Sequence, residues 1–402
     1  MRETQTMATP TSEAIAPERT QDIKVLAPEQ LQALMREWGE PSYRVQQIVH
    51  WIHKLQARAW EEMTNLPKAL RRRLEETVPH QTLQLVQVFE AEEGTRKFLW
   101  QLPDGEWIES VLIPASRGED GRQDSRRTLC VSTQVGCAFG CRFCASGLHG
   151  FRRDLEGWEI VDQVLAAERW LREQQPLLRG ERHIHNLVIM GMGEPLANYD
   201  RLIQALTVLN APWGFQIGAR RITISTCGLP QQIVQLADRP EQFRLAVSLH
   251  ATTNEVRDQL MPVNRRYPLE ELLAACRYYA VKRRKMITLE YLLIRGLNDS
   301  VGQIRELARI ARSLHAKVNL IPYNPVPGLP WQRPTPEHQQ RLLEELTRRG
   351  VTATLRREKG TSIEAACGQL RLRRLQEQQR GSCPSKGQTF VEASFHSVSS
   401  DS

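Results

Sequence analysis

Strand-like and helix-like segments alternate six times between residues 126 and 335 of this chain. Each strand-like segment is short and rich in β-branched or other apolar residues, and an amphipathic segment of helix length follows it. Repeated strand–helix units predict a parallel sheet covered by helices. The fold class is therefore predicted as α/β, a partial (β/α)6 barrel that is TIM-like. The predicted strands are 128–133, 186–191, 221–226, 244–249, 287–294 and 317–322.

The segments outside the barrel follow other periods. Apolar residues three and four apart between residues 27 and 79 predict helices, and a period of two from residue 83 to 113 predicts strands. Both ends of the chain are polar and aperiodic, which predicts disorder. The predicted divisions are a disordered tail (1–22), a helical domain with a basic surface (23–82), a β-hairpin extension and loop (83–125), the barrel (126–335), a C-terminal segment (336–380) and a second disordered tail (381–402).

Basic residues are in excess and lie in short clusters along the whole chain. The net charge is +8 and the sequence pI is about 9.2. A single cluster is more often a solvated helix face, but recurring clusters attract a polyanion and indicate a nucleic-acid partner. The helical domain 23–82 is interpreted in this way as an RNA-binding domain. The clusters are Arg71 to Arg73, Arg152-Arg153, Arg220-Arg221, Lys282 to Lys285, and Arg371 with Arg373-Arg374.

The sequence also indicates where the protein works. No apolar run approaches the length of a membrane span, and residues 1–21 lack the order of a secretory signal. Glu3, Glu13 and Glu18 argue against a transit peptide. Eight cysteines are too few for a disulfide scaffold in a chain of 402 residues. A reducing cytoplasm is the expected setting, and nothing in the sequence demands more than a monomer.

The unusual polar motifs fall at the predicted carboxyl ends of the strands. In barrels of this type the active site forms from the loops at those ends. One active site is therefore predicted there. The motifs are the cysteine loop after the first strand, Gly191-Met192-Gly193-Glu194-Pro195 after the second, Ser225-Thr226-Cys227-Gly228 after the third, Ser248-Leu249-His250 at the end of the fourth, and Pro322-Tyr323-Asn324-Pro325 after the sixth.

Cys137, Cys141 and Cys144 form a C-x3-C-x2-C triplet on one loop. A cubic iron–sulfur cluster takes one thiolate per iron, so three thiolates leave one iron open. S-adenosylmethionine can bind such an iron through its amine and its carboxylate, and Phe143 would then lie beside the adenine. The alternative is a structural zinc site completed by His149, because C-x3-C-x2-C-x4-H can close a tetrahedron.

The other strand-end motifs offer groups for a ligand. The glycines around Gly193 let the backbone approach closely, and Glu194 can accept a hydrogen bond from an ammonium group. Ser225, Ser248 and His250 offer polar groups for a carboxylate or a ribose. Taken alone, Glu194 is as readily explained as the cap of a turn. Ser225, Ser248 and His250 taken singly are more readily explained as structural caps of strand ends than as ligands. Their shared position beside the cysteine loop favours a binding site.

Six motifs occur in the order of one known family: Cys-x-x-x-Cys-x-Phe-Cys, Gly-Met-Gly-Glu-Pro, Ser-Thr-x-Gly, Ser-Leu-His-Ala, Asn-Pro-x-Pro-Gly and Ala-Ala-Cys-Gly-Gln-Leu. The chain resembles the radical S-adenosylmethionine adenine-C2 methyltransferases of ribosomal and transfer RNA, the RlmN family. The resemblance extends from residue 35 or so to residue 370, so only the tails fall outside it. It implies one [4Fe-4S] cluster on the cysteine triplet and two S-adenosylmethionine molecules per turnover.

The resemblance also implies roles for individual residues. Cys367 would carry the methyl group as S-methylcysteine and, through a radical at that methyl carbon, join the protein to the adenine ring. Glu109 would accept the ring proton, and Cys130 would resolve the adduct through a transient disulfide with Cys367. The residues implied to bind S-adenosylmethionine are Gly193, Glu194, Ser225, Ser248, Leu249, His250 and Asn324.

The residues themselves support these roles only modestly. Cys130 is more readily interpreted as a small core residue, because unpaired cysteine is commonly buried. Glu109 is more readily interpreted as a surface carboxylate on a strand face. Two features depart from the family pattern: the loop 115–127 is longer, and Cys227 stands where the family more often has serine.

The expected function is methylation of C2 of an adenosine in the peptidyl-transferase centre of 23S ribosomal RNA and of the adenosine 3′ of the anticodon in transfer RNAs. The expected partners are these RNAs, an electron donor such as flavodoxin or ferredoxin, and a thiol reductant. The nearest alternative is Cfr-type methylation of C8 of the same ribosomal adenosine, which uses the same motifs. A distant alternative is a non-catalytic RNA-binding protein that contains zinc.

Overall fold

The structure is a computed structural model that describes residues 21–115, 126–148, 150–176, 181–326, 328–356 and 363. No helix in these ranges is both long enough and apolar enough to cross a bilayer. The strands are β1 (Gln84–Glu90), β2 (Arg96–Gln101), β3 (Trp107–Pro114), β4 (Arg127–Cys130), β5 (Gln134–Gly136), β6 (Phe151–Asp154), β7 (Asn186–Ile189), β8 (Ile222–Thr226), β9 (Arg244–Ser248), β10 (Thr288–Leu293), β11 (Lys317–Pro322) and β12 (Ala353–Leu355). The helices are α1 (Pro28–Glu37), α2 (Tyr43–His50), α3 (Lys68–Thr77), α4 (Ala145–Leu148), α5 (Gly157–Gln174), α6 (Tyr199–Asn210), α7 (Pro230–Asp238), α8 (Asn254–Leu260), α9 (Leu269–Arg283), α10 (Val301–Ser313) and α11 (Pro336–Arg348).

Ten of these strands form one sheet in the order β1-β2-β3-β4-β7-β8-β9-β10-β11-β12. Neighbouring strands are parallel from β4 to β12. The predicted α/β fold with a partial barrel is therefore confirmed, and the six predicted strands correspond to β4 and β7 to β11. β4 ends at Cys130 rather than at residue 133, and beyond it the Thr133 N–H donates to the Met192 carbonyl in the loop after β7 (2.9 Å).

Side chains alternate between the two faces of the barrel sheet, as they must along a strand. On β8, Ile222 and Ile224 are fully buried in the apolar core, whereas Thr223 and Ser225 line cavities on the inner face. The outer face therefore supplies the hydrophobic layer beneath the helices, and the inner face keeps polar groups available to a ligand.

The strands β1 to β3 are antiparallel and extend the barrel sheet beyond β4. They coincide with the strands that the period of two predicts. On one face of this extension Trp100 donates to the Ser110 hydroxyl (3.1 Å), which in turn donates to Gln163 of α5 (2.8 Å). The opposite face of β2 and β3 therefore points into the barrel.

The N-terminal helices α1 to α3 are joined to the barrel through α5. Lys24 is buried between Asp22 (3.6 Å) and Asp162 of α5 (3.9 Å). On the next turns of α5, Arg169 donates to the Gln56 carbonyl (2.7 Å) and Arg172 to that of Lys54 (3.0 Å). These contacts fix the helical region predicted for this end of the chain against the outside of the barrel.

β5 and β6 form a second sheet, an antiparallel hairpin. The cysteine loop lies between these two strands in the sequence. The sequence pattern does not predict the hairpin, because Gln134–Gly136 and Phe151–Asp154 are too short to show a period.

Candidate active site

The three cysteines of the triplet lie on the segment from the end of β5 to the start of α4. The β5–β6 hairpin closes this segment at its base, where the Cys137 N–H donates to the Gly150 carbonyl (2.9 Å). Gly136 permits the closure, because its φ is +76° and a Cβ there would lie 1.8 Å from the Gly150 oxygen. A turn in which the Cys144 N–H donates to the Cys141 carbonyl (3.1 Å) leads into α4. All three thiols thereby reach the wall of one cavity.

The burial of these thiols decides what they can bind. Burial raises the pKa of the Cys137 thiol to about 12 and that of Cys141 well above its usual value. The negative charge of the neighbouring cysteine sulfurs and of Glu194 acts in the same direction. Thiols in this setting ionise only when a cation compensates their charge. The donor set therefore fits an iron centre that binds thiolates.

The cavity beside the cysteine loop is lined by the strand-end motifs. Parallel strands place their carboxyl ends at one edge of the barrel, so residues distant in sequence meet there. The structure thus brings together six of the seven residues predicted to bind S-adenosylmethionine, and their role as ligands stays a prediction. These six are Gly193, Glu194, Ser225, Ser248, His250 and Asn324.

Glu194 is held by two backbone N–H groups, those of Leu196 (3.0 Å) and Cys227 (2.7 Å). These bonds connect the loop after β7 to the end of β8, so the side chain has a structural role as well. Burial raises the pKa of the Glu194 carboxyl, and the bonds from the backbone oppose that effect. A carboxylate has about four lone-pair sites. The side chains of Thr226 and Cys227 also hydrogen-bond to Glu194, which lines the cavity.

His250 follows β9 in a left-handed backbone conformation with a φ of +56°. Its Nδ1 accepts a hydrogen bond from the Leu292 N–H (3.1 Å), which assigns the ring proton to Nε2. Burial lowers the pKa of His250 to about 3, so the ring is neutral at physiological pH. The Phe143 ring packs edge-on against it, with centroids 4.8 Å apart. The Glu290 backbone also hydrogen-bonds to the His250 ring, which lines the cavity.

Asn324 and Leu249 differ in their access to the cavity. Asn324 lines it, and its Oδ1 accepts a bond from Arg333 (2.6 Å). The Leu249 side chain is fully buried and does not line the cavity. Its N–H already donates to the Glu290 carbonyl (3.0 Å), and its carbonyl accepts from Arg257 (3.2 Å). Of the seven predicted ligands, Leu249 is the one that the structure does not place at the cavity.

A fully buried arginine beneath the strand ends is absent from the sequence-based predictions. Arg257 of α8 donates to the carbonyls of Cys227 (2.5 Å) and Ser248 (3.3 Å) and to Asn264 Oδ1 (2.9 Å). It therefore ties the end of β8 to the end of β9. An arginine in an amphipathic helix carries no local sign of burial, so the sequence offered no signal. Cys227, for which no role was predicted, also lines the cavity.

Glu109 and Cys130 lie on one face of the sheet. Val111 of β3 is the register partner of both Cys130 on β4 and Lys97 on β2. Glu109 is two residues from Val111, so its side chain points to the same side. Lys97 Nζ lies 3.2 Å from Glu109 Oε1, and these two side chains are 3% and 1% exposed. The interpretation of Glu109 as a surface carboxylate is therefore wrong, whereas Cys130 is buried as a small core residue would be.

Several predicted features lie outside the described residues. They are Cys367, His149, Cys383, most of the long loop before β4, residues 1–20 of the N-terminal tail, the C-terminal tail and the C-terminal helix. The proximity of Cys130 to Cys367 therefore stays a prediction. Within the described ranges, no three side chains of His, Cys, Asp or Glu converge on a single metal ion.

Comparisons with known proteins agree with this site. The Radical SAM superfamily matches residues 131–308, and the ribosomal RNA large subunit methyltransferase N-terminal domain matches residues 22–79. The chain is 52% identical over 354 residues to the probable dual-specificity RNA methyltransferase RlmN 3 of Opitutus terrae, covering 87% of this chain and 94% of that protein. The chain belongs to the RlmN family. A second RlmN relative, the dual-specificity RNA methyltransferase of Anaeromyxobacter dehalogenans, is 46% identical and covers 87% of this chain and 92% of its own length.

A solved structure shares the fold of this RlmN-family chain. The crystal structure of a radical SAM methyltransferase from Sphaerobacter thermophilus matches with a TM-score of 0.80 and 44% sequence identity. The match covers 87% of this chain and 99% of that one. The barrel and the N-terminal helices are thus those of a known enzyme architecture.

Membership of the radical SAM superfamily implies a [4Fe-4S] cluster and S-adenosylmethionine, and the residues present fit both. The Cys137 and Cys141 thiols need cations to hold them ionised. The strand ends on the same cavity offer a carboxylate, hydroxyls and an imidazole ring for the polar groups of the cosubstrate. The RlmN-family assignment therefore favours the cluster over a structural zinc site.

Proposed function

We propose that this protein methylates C2 of an adenosine in the peptidyl-transferase centre of 23S ribosomal RNA and of the adenosine 3′ of the anticodon in transfer RNAs. The proposal rests on one observation above all. The cysteine triplet and the polar strand ends share one cavity, in a chain whose relatives at 42% to 52% identity are named dual-specificity RNA methyltransferases. The proposed setting is the cytoplasm, where both RNAs are found.

The residues at the cavity wall bind and orient the cosubstrate. When bound, the cluster and S-adenosylmethionine supply an organic radical by one-electron cleavage of the sulfonium, with the electron coming from a donor such as flavodoxin or ferredoxin. Glu194 is placed to accept a bond from the amino group. The hydroxyls of Ser225 and Ser248 and the imidazole of His250 suit the carboxylate and the ribose. Two molecules are used per turnover, one to methylate Cys367 and one as the radical source.

A carrier cysteine and a base are needed because C2 of adenine is neither acidic nor nucleophilic enough for direct methyl transfer. Cys367 carries the methyl carbon to the ring, and Glu109 takes the ring proton. The environment of Glu109 suits a proton acceptor. Its carboxyl group is shielded from water, and Lys97 Nζ lies 3.2 Å from Glu109 Oε1, so a cation stands beside the group that receives the proton.

Release of the RNA is the proposed task of Cys130. Its thiolate attacks the Cys367 sulfur and a disulfide forms. The bond between Cys367 and the transferred carbon breaks with its electron pair on that carbon, which takes up a proton to become the methyl group. Cys130 lies on the same sheet face as Glu109, one strand further along. Proton removal and release would therefore take place on one side of the bound base. A thiol reductant reopens the disulfide after each turnover.

The test is the nucleoside formed from ribosomal and transfer RNA by anaerobically reconstituted protein, identified by mass spectrometry. We expect 2-methyladenosine. A Cys367→Ala variant should form no product, and a Cys130→Ala variant should stay covalently bound to RNA. Cys276 is buried in α9 away from the cavity, so Cys276→Ala is the matched control and should behave as the wild type.

Other outcomes of this experiment would contradict the proposal in distinct ways. Formation of 8-methyladenosine would establish the Cfr-type reaction instead. Normal product release by Cys130→Ala would remove the resolving role of that residue. Absence of any methylated adenosine in the wild-type reaction would overturn the function itself.

A further inference from the structure

Glu290 of β10 points into the barrel and lines two cavities. One is the cavity of the cysteine triplet, and the other is a deeper cavity of about 500 Å³, within the range of small-molecule sites. The deeper cavity is also lined by Arg244, Thr288 and Lys317, the first residues of β9, β10 and β11. It therefore occupies the half of the barrel away from the cysteine loop. Glu290, which is 6% exposed, stands at the junction of the two cavities.

One carboxyl oxygen of Glu290 is fixed by the neighbouring strands. Asn319, its register partner on β11, donates to Oε2 at 2.7 Å. The Thr354 hydroxyl donates to Asn319 Oδ1 at 3.0 Å, which sets the orientation of that amide. Oε1 has no hydrogen-bond partner among the described residues. The side chain thus presents one oriented and unused oxygen to the junction.

This carboxyl group forms no ion pair with any described residue. Burial raises the pKa of Glu290, and the positive charges of Arg356 and Lys317 oppose that effect only in part. A buried carboxyl group without a cation or a full set of hydrogen bonds destabilises the fold. Its presence on a cavity wall therefore points to a ligand that donates a hydrogen bond at this position.

We propose that Glu290 recognises the target adenine by accepting a hydrogen bond from its N6 amine at Oε1. This inference rests on the proposed function, because it assumes an adenosine substrate. The register partner of Glu290 on β9 is Ser248, which is predicted to bind S-adenosylmethionine. A base held at Glu290 would therefore lie next to the cosubstrate.

The arrangement of the strands indicates how a base held at Glu290 would be oriented in the barrel. β4 is the first and β10 the fifth strand of the parallel series, so they stand on opposite sides of the lumen of such a barrel. The N6 amine and C2 lie at the two ends of the Watson–Crick edge of adenine. With its amine at Glu290, the base directs C2 away from β10 and toward the side that carries Cys130 and Glu109. Guanine would instead place its O6 acceptor against the carboxyl oxygen and be rejected.

The experiment compares two RNA stem-loops, one with adenosine and one with purine riboside at the target position. Purine riboside keeps the C2 hydrogen and lacks the N6 amine. We expect kcat/KM of the wild type to be about 10- to 100-fold lower for the purine riboside RNA, as for loss of a hydrogen bond to a carboxyl group. The Glu290→Met variant should treat both RNAs alike, with unchanged iron content and unchanged Kd for S-adenosylmethionine.

Exposed Glu255 of α8 provides the matched control, and Glu255→Met should keep the full preference of the wild type. Equal methylation of both RNAs by the wild type would overturn the inference without any variant. A Glu290→Met variant that keeps the preference would overturn it as well, and weaker S-adenosylmethionine binding in that variant would assign Glu290 to the cosubstrate instead. Failure of the wild type to methylate the adenosine RNA would contradict the proposed function rather than the role of Glu290.

Discussion

Lys97 and Glu109 form a buried ion pair, and we expect removal of one partner to lower the free energy of unfolding. Replacement of Lys97 by methionine would remove the cation that lies against the buried Glu109 carboxyl group. Removal of one partner from a buried pair costs about 3–5 kcal/mol. We expect Lys97→Met to lower the free energy of unfolding by that amount in urea titrations. The double variant Lys97→Met/Glu109→Gln should recover much of the loss, because a neutral amide then replaces the buried carboxylate.

An exposed pair of similar geometry provides the control for this prediction. Arg72 and Glu76 of α3 lie 3.1 Å apart, but their side chains are 82% and 61% exposed. Exposed pairs contribute little, since water solvates both charges. Arg72→Met should therefore leave the unfolding curve unchanged. Equal losses for Arg72→Met and Lys97→Met would show that burial does not determine the effect.

These residues also show where prediction from the sequence ends. The cysteine triplet and the strand-end motifs are local patterns, so Cys137 and Glu194 could be assigned to one site without coordinates. The Lys97–Glu109 contact depends on the register between β2 and β3, which no local pattern specifies. The same holds for Glu290, which becomes notable only when Asn319 of another strand is seen to occupy one of its oxygens.

At the scale of elements, the β5–β6 hairpin determines whether the cysteine loop can form. In Gly136→Ala the new methyl group would collide with the Gly150 carbonyl, and the positive φ of +76° would add strain. We expect the hairpin to open and the triplet to lose its arrangement. Anaerobically reconstituted Gly136→Ala should contain much less than the four irons expected for one cluster, measured as iron per protein and as visible absorbance.

Comparison with Gly140→Ala, in the same loop, distinguishes the effect of steric collision from the effect of backbone strain. The φ of Gly140 is +57°, yet a Cβ at this position would have no heavy atom within 4 Å. Gly140→Ala should therefore cost only about 1 kcal/mol and keep nearly all of its iron. A Gly136→Ala protein with full iron content would show that the hairpin is not required for the cluster.

The helical segment after α2 links pH to the attachment of the N-terminal helices. His53, on the π-helical turn Trp51–Leu55, packs edge-on against Trp213 of the barrel with ring centroids 5.5 Å apart. Burial lowers the pKa of His53 to about 3, well below the value of 6.5 for the unfolded chain. The unfolded chain therefore binds this proton first as the pH falls. The contribution of His53 to stability is complete above pH 6.5 and is lost below it by about 1.4 kcal/mol per pH unit.

Unfolding free energies measured between pH 7 and pH 5 test this linkage. His53→Leu should flatten the pH dependence by roughly one proton, because the unfolded chain then has one fewer group to protonate. Identical slopes for wild type and His53→Leu would contradict the buried, neutral state of His53.

At the scale of the whole molecule, the excess positive charge is unevenly compensated. Several basic clusters that the sequence singles out are partly paired in the structure, as with Arg72 and Glu76 or Lys282 and Asp238. The opposite holds at the mouth of the deeper cavity. Four cations line it without forming an ion pair with any described residue: Arg220, Arg244, Lys285 and Lys317. Clustering in sequence predicts an affinity for polyanions, but only the fold shows which cations remain available.

These available cations predict the salt dependence of RNA binding. If phosphates flanking the target base contact this mouth, the variant Arg244→Gln/Lys285→Gln/Lys317→Gln will bind the RNA more weakly. The slope of log Kobs against log salt should fall in magnitude by about 0.7 for each single-strand phosphate that is no longer neutralised, or about 2 for all three. The control variant Arg305→Gln/Arg309→Gln removes cations that are paired with Glu345 and Glu306, and its slope should match the wild type. An unchanged slope in the triple variant would place the RNA backbone elsewhere on the protein.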